Sequence, residues 1–180
     1  MPHGSGEPSA WVRRWAPLVR PGGSVLDVAC GSGRHLRYLA ARGHALTGID
    51  RDADALAPLQ PLGSLIVADI EGGAWPLPGE RFDAVVVTHY LWRPLLPTLV
   101  ASLAPGGVLI YETFTAGNET VGKPSRPDFL LRPGELLQAC AGLRTVAYED
   151  GFIDAPARFL QRIVAVRPDP DAPAPARYPL

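Results

Sequence analysis

Residues 25–33 read Val-Leu-Asp-Val-Ala-Cys-Gly-Ser-Gly, an apolar run that holds an acid at Asp27 and ends in Gly31 and Gly33. Val25, Leu26 and Val28 predict a central parallel strand buried on both faces. In an open α/β sheet the ligand crevice lies beyond the carboxyl ends of the strands, and glycines let a ligand approach backbone where a Cβ would collide. A helical pattern follows at once. The segment therefore predicts a nucleotide-type cofactor site and commits the chain to an α/β class.

The chain of 180 residues, 47% hydrophobic and 19% charged, fits one domain with a substantial core. We expect that domain over 9–167, a flexible N-terminus over 1–8 and a flexible tail over 168–180, where Pro168, Pro170, Pro173, Pro175 and Pro179 exclude helix and sheet core. The formal charge of −1 gives no long-range field toward phosphate backbones or anionic membranes, so neither nucleic acid nor membrane is expected as a partner. Cys30 and Cys140 are too few for a disulfide framework or a four-ligand zinc site, and no metal is expected. With no span-length apolar stretch and no signal peptide, the expectation is a cytoplasmic protein, monomer or homodimer.

Short β-like runs alternate with helical ones, the mark of a parallel sheet covered on both faces. We predict helices over 8–19, 32–42, a short one after the Asp52 cap, 95–103 and 132–141. Strands are predicted over 24–30, 45–50, 65–70, 82–90 and 108–114. Two last strands, about 143–150 and 158–167, are separated by a few residues only, which requires an antiparallel hairpin.

The glycine bend discriminates among ligands. A P-loop needs Lys and Ser or Thr after the second glycine, where Arg34 and His35 stand. A dinucleotide turn needs a small residue where Leu36 stands. What remains is Asp-x-x-x-Gly-x-Gly.

These residues resemble motif I of the class I S-adenosylmethionine-dependent methyltransferases, D/E-x-G-x-G-x-G, with Ala29 in place of the first glycine. The Ala-Cys-Gly variant is similar to the small bacterial, tellurite-resistance-like group. The resemblance, over about 10–167, implies a three-layer Rossmann-like sandwich whose seven-stranded, mostly parallel sheet has the order 3-2-1-4-5-7-6, strand 7 antiparallel. Five β/α steps and a closing hairpin fit that fold.

The resemblance also implies roles. Asp27 would orient the methionine amino group, and the backbone of Ala29, Cys30, Gly31 and Gly33 would approach the amino-acid part of S-adenosyl-L-methionine. Cys30 itself reads as a small packing residue. Asp50, with Arg51 beside it, would take the ribose hydroxyls. Asp69 and Ile70 would read adenine, and Thr88 and His89 would face the sulfonium and the acceptor. The Asn/Asp-Pro-Pro-Tyr signature of amine methyltransferases is absent. His89 is a candidate general base, a structural histidine being the competing reading, and Tyr111 and Glu112 are further candidates. Tyr90, Trp92 and Arg93 are candidates to line the acceptor pocket, or else core.

The loop over 113–131 exceeds an ordinary connection and is expected to cover the acceptor, anchored by Phe114, Phe129, Leu130 and Leu131. Glu112, Asn118, Glu119, Lys123 and Arg126 would then offer it polar contacts. The function expected is in-line methyl transfer to a small-molecule acceptor. A non-catalytic cofactor-binding subunit and a nicotinamide-dependent oxidoreductase are the alternatives.

Overall fold

The computed structural model describes residues 6–179, so the expectation of a flexible start falls outside the described residues for 1–5, as does residue 180 of the tail. The strands are β1 (Ser24–Val28), β2 (Ala45–Asp50), β3 (Ser64–Val67), β4 (Phe82–Thr88), β5 (Leu103–Phe114), β6 (Arg144–Asp154) and β7 (Ala157–Val166). They form one seven-stranded sheet in the order β3-β2-β1-β4-β5-β7-β6. β1 to β5 pair in parallel, and β7 runs antiparallel to β5 and β6. The expected order and the expected reversed strand are both present.

Helices α1 (Ala10–Trp15), α2 (Arg34–Ala40), α3 (Ala53–Leu56), α4 (Leu96–Ala101) and α5 (Glu135–Ala139) cover both faces. Alternation along the strands splits the core in two. Val25, Ala84, Val86, Ile110 and Val164 face a layer built with Trp11, Trp15, Leu36, Leu39 and Leu59. Leu26, Val28, Val85, Val87, Leu109, Tyr111 and Ile163 face the other, with Leu95, Leu99, Leu131 and Leu136.

The central strands stop earlier than their composition predicts, and for one reason. Ala29 after β1 and His89 after β4 both take a left-handed backbone, φ 54°, which no strand continues through. The two bends end neighbouring strands at one level and open the crevice between them. For an alanine that conformation costs about 1–2 kcal/mol, against a smaller entropic cost for glycine. Ala29→Gly is therefore expected to stabilise the chain by up to about 1 kcal/mol, read as a higher Tm with unchanged secondary structure.

Other boundaries move as well. β5 begins at Leu103 and not at 108, because 104–107 is a bulge between the Phe82↔Leu103 and Ala84↔Val108 pairings. A Cβ on Gly107 would lie 2.7 Å from the Ala104 carbonyl oxygen and 2.8 Å from that of Phe82, so only glycine lets the bulge close. The final hairpin extends to a two-residue connection, Ala155-Pro156, and is longer than predicted. Residues 168–179 contain no helix or strand, yet Tyr178 packs against the core layer and lies under the Arg144 guanidinium, 5.3 Å from the ring centroid.

Candidate functional site

The site forms where β1, β2 and β4 end. Asp27, the penultimate residue of β1, is 1% exposed, and its Oδ2 has no hydrogen-bond partner. Burial pushes its pKa up to about 8, against the opposing pull of the Arg34 charge. An orphaned carboxylate oxygen in a buried place is costly and calls for a donor or cation from outside the chain.

Next to it the bend turns through left-handed Ala29, Gly31 and Gly33. The two glycines serve different ends. A Cβ on Gly31 would meet nothing within 4 Å, whereas one on Gly33 would collide with Leu59. Gly31 thus borders open space, and Gly33, expected at the cofactor, is there to let α2 and the segment after α3 close together. Cys30 is likewise turned inward: it is buried in the core layer of α1 and α2, and burial raises its thiol pKa far above the usual value.

Asp50 ends β2 and holds the bend in place. Its Oδ2 accepts the Gly31 amide at 2.7 Å and its Oδ1 the Asp52 amide at 3.0 Å. Each oxygen keeps a free lone pair, so the carboxylate can accept further hydroxyls. Asp52, as expected, caps α3 by accepting from the Asp54 and Ala55 amides. Asp69 lies beyond the end of β3 and not within it, its Oδ1 accepting the Glu71 and Gly72 amides at 3.0 and 3.2 Å. Those two bonds, more than the nearby charge of Arg51, hold its pKa below the usual carboxylate range. Ile70, like Trp75, Leu77 and Tyr90, packs against the core layer that contains Leu95, Leu99 and Leu136.

The acceptor candidates separate. Thr88 pairs in register with Glu112, and the His89 amide donates to the Glu112 carbonyl at 2.9 Å. The His89 ring lies 5.0 Å from that of Phe114. Although the residue is exposed, desolvation of its ring, then Arg34 and Arg158, push its pKa down to about 4, so the imidazole is neutral near pH 7 and only weakly basic. Tyr111 faces the opposite core layer, 1% exposed, and its hydroxyl donates to the Tyr90 carbonyl at 2.7 Å. With burial driving its pKa well up, Tyr111 holds the backbone after β4 and is no candidate base. Glu112 is buried too, accepting from the Ser9 hydroxyl at 2.8 Å and pairing with Arg162 at 3.3 Å.

Sequence reasoning missed what covers this face. Ser9 uses one hydroxyl to cap α1, accepting from the Trp11 and Val12 amides, and to donate to Glu112. Its own amide donates to Nε2 of buried His35 at 3.1 Å, which requires a free lone pair there. Burial, then the Arg34 charge, keeps the His35 pKa down at about 3 and the bond intact. The only sequence signal was Ser9 as a cap.

Arg93, weighed as a pocket residue, is instead a clamp. It forks onto Glu135 at 2.7 and 3.0 Å and donates to the carbonyls of Asp128 and Leu130. That clamp borders an open cleft of about 540 Å³ between α4 and α5, lined also by Leu96, Pro97, Val100 and Arg132. The cleft is apart from the strand-end acids.

The loop over 113–131 is pinned at several points. Thr115 bridges to Leu131, the Asn118 side chain donates to the Pro124 carbonyl and accepts the Phe159 amide, and Leu130 and Leu131 are buried. Phe129, expected as an anchor, is 41% exposed. Arg126 pairs with Asp128, and Glu119 accepts the Gly117 amide. No group of His, Cys, Asp and Glu able to hold a metal exists among the described residues. No helix there is long and apolar enough to cross a membrane.

The sheet order, with strand 7 reversed, is the Rossmann-like fold that solved S-adenosylmethionine-dependent methyltransferases share. Residues 25–107 match the family model Methyltransf_25, described as a methyltransferase domain.

The chain is similar to trans-aconitate 2-methyltransferase of Paracidovorax citrulli (strain AAC00-1), 41% identical over 96 residues, 47% of this chain and 36% of that protein. It is also similar to tRNA U34 carboxymethyltransferase of Klebsiella pneumoniae (strain 342), 32% identical over 147 residues, 74% of this chain and 44% of that one. The chain thus spans less than half the length of these curated relatives. Among solved structures, TehB from Haemophilus influenzae superposes with a TM-score of 0.72 at 21% identity, over 89% of this chain and 62% of that one. An S-adenosylmethionine-dependent methyltransferase from Mesorhizobium loti does so at 0.69 and 18% identity, over 91% of this chain and 100% of that one. At such identity the likeness is one of fold.

Proposed function

We propose that this chain transfers the methyl group of S-adenosylmethionine to a small-molecule acceptor. The observation that carries the reading is the pairing of orphaned Asp27 Oδ2 with the open space over Gly31. That combination suits a ligand with a cationic amine beside a polar chain, and the residues fit the amino-acid end of this cofactor. When bound, the cofactor supplies an activated methyl group on sulfur whose departure needs no acid.

The chain's own residues then bind and align. Asp27 takes the amine, Asp50 accepts ribose hydroxyls while steadying the Gly31 amide, and Asp69 with Ile70 and Arg51 borders the base. Thr88 and His89 face the acceptor, so that nucleophile, methyl carbon and sulfur are held in line, an effect worth many kcal/mol. His89, neutral and weakly basic, can accept a hydrogen bond from the N–H or O–H of an acceptor. The segment over 113–131 covers the acceptor.

Calorimetric titration with S-adenosylhomocysteine tests the reading. Wild type should bind it, and Asp50→Ala should lose roughly 10- to 100-fold in affinity, the worth of charge-assisted hydrogen bonds. Asp69→Ala should lose less, because Asp69 is exposed. No binding to wild type, or unaltered affinity in both variants, would sink the proposal. Tight binding without turnover of any acceptor would favour a non-catalytic subunit.

A further inference from the structure

Three cationic or imidazole side chains from distant parts of the chain converge where β4 ends. His89 follows β4, Arg34 opens α2 beside the glycine bend, and Arg158 lies on β7, two residues past the Leu160↔Phe114 pairing. The charges of Arg34 and Arg158 both bear on the His89 ring.

The two arginines differ from their neighbours in forming no ion pair among the described residues. Arg162, four positions along β7 on the same face as Arg158, pairs with Glu112 at 3.3 Å and Glu149 at 3.2 Å. Arg93 is paired with Glu135. Among the described residues, Arg34 and Arg158 form no ion pair and no side-chain hydrogen bond, and Arg158 Nε is buried without a partner. Glu112 is committed to Arg162 and Ser9, and in the loaded protein Asp27 is committed to the amine of the cofactor.

A buried guanidinium nitrogen without an acceptor costs as much as a broken hydrogen bond, and its fork matches a planar or tetrahedral oxyanion in two parallel bonds. We propose that the acceptor carries an oxyanion, a carboxylate or a phosphate, which Arg158 grips through its fork with Arg34 beside it, next to the His89 and Phe114 rings. The inference rests on the methyl-transfer reading and adds the substrate class to it. Phe114, paired with Leu160, supplies an apolar wall, so the acceptor is a small organic anion with part of its body apolar.

The test titrates malonate, citrate and inorganic phosphate into protein saturated with S-adenosylhomocysteine. At least one should bind wild type. Arg158→Gln should weaken it at least tenfold while S-adenosylhomocysteine affinity stays within threefold, and Arg158→Lys, which keeps the charge without the fork, should fall between. Preference for the carboxylates or for phosphate identifies which oxyanion the acceptor carries. Should Arg158→Gln fail to fold, the lysine variant alone must still show the weakened binding. No oxyanion bound by saturated wild type, equal affinities across the variants, or preference for an RNA hairpin over every small anion overturns the inference. Failure of S-adenosylhomocysteine to bind wild type overturns the methyl-transfer reading instead.

Discussion

Asp27→Asn will stabilise the ligand-free protein above neutral pH and weaken S-adenosylmethionine binding at least tenfold. In the unfolded chain this carboxyl titrates at about 3.8, and in the folded chain burial holds it protonated to about 8. The native state therefore binds one proton more than the unfolded state between those values. Its contribution to stability is fully present below about 4 and is lost as pH rises through about 8. Asparagine keeps the shape without the charge. The variant's advantage should grow from nothing near pH 4 to a few kcal/mol near pH 8.

Ligand binding has the opposite sign. A cationic amine prefers the ionised acid, so affinity in wild type should rise toward pH 8 with release of a proton, and asparagine should abolish that rise. Melting curves for both proteins across this range give the answer. Parallel Tm profiles would refute the account.

Arg93→Ala should cost about 2 kcal/mol or more, because it leaves a buried carboxylate with only the Arg132 amide at 2.7 Å and the exposed Arg132 guanidinium at 3.6 Å. Glu135 has a side chain 7% exposed, and burial alone would raise its pKa. The Arg93 fork, the Arg132 amide and their charges outweigh burial and hold it low. The same change frees the carbonyls of Asp128 and Leu130, so the segment over 113–131 should become readily cleaved by protease near residue 128. If that segment covers the acceptor, acceptor use falls while S-adenosylhomocysteine affinity holds. Equal loss of both would argue against a cover, and an unchanged Tm would show that Arg132 alone suffices to hold Glu135.

Short-range chemistry made the sheet legible in the sequence. Val85-Val86-Val87, the Asp52 cap and the gap too short for a crossover between the last strands each act within a few residues. The strand-end acids were legible for the same reason: a carboxylate at the close of an apolar run stands out locally. What escaped were contacts made across the fold. Ser9 reaches Glu112 over 103 positions, and Arg93 reaches Glu135 over 42. Nothing near Arg158 in sequence indicates that its neighbours leave it without an acid. Tyr111 lies in the layer away from Asp27, and which face of β5 a residue takes is set by register with β4, a contact made across the fold.

The Leu36 that disqualifies a dinucleotide turn also has a structural explanation. A Cβ on Gly48 of β2 would sit 2.8 Å from Leu36 Cδ1 and 3.1 Å from Cys30 Sγ, so the vacancy for close approach of helix and sheet is provided on the strand. Size at position 36 and smallness at position 48 are thus one trait divided between two places. Exchanging them together, a small residue for Leu36 and alanine for Gly48, should be tolerated better than Gly48→Ala alone, with Leu65 Cδ2 at 3.0 Å and Cys30 Sγ still having to give way.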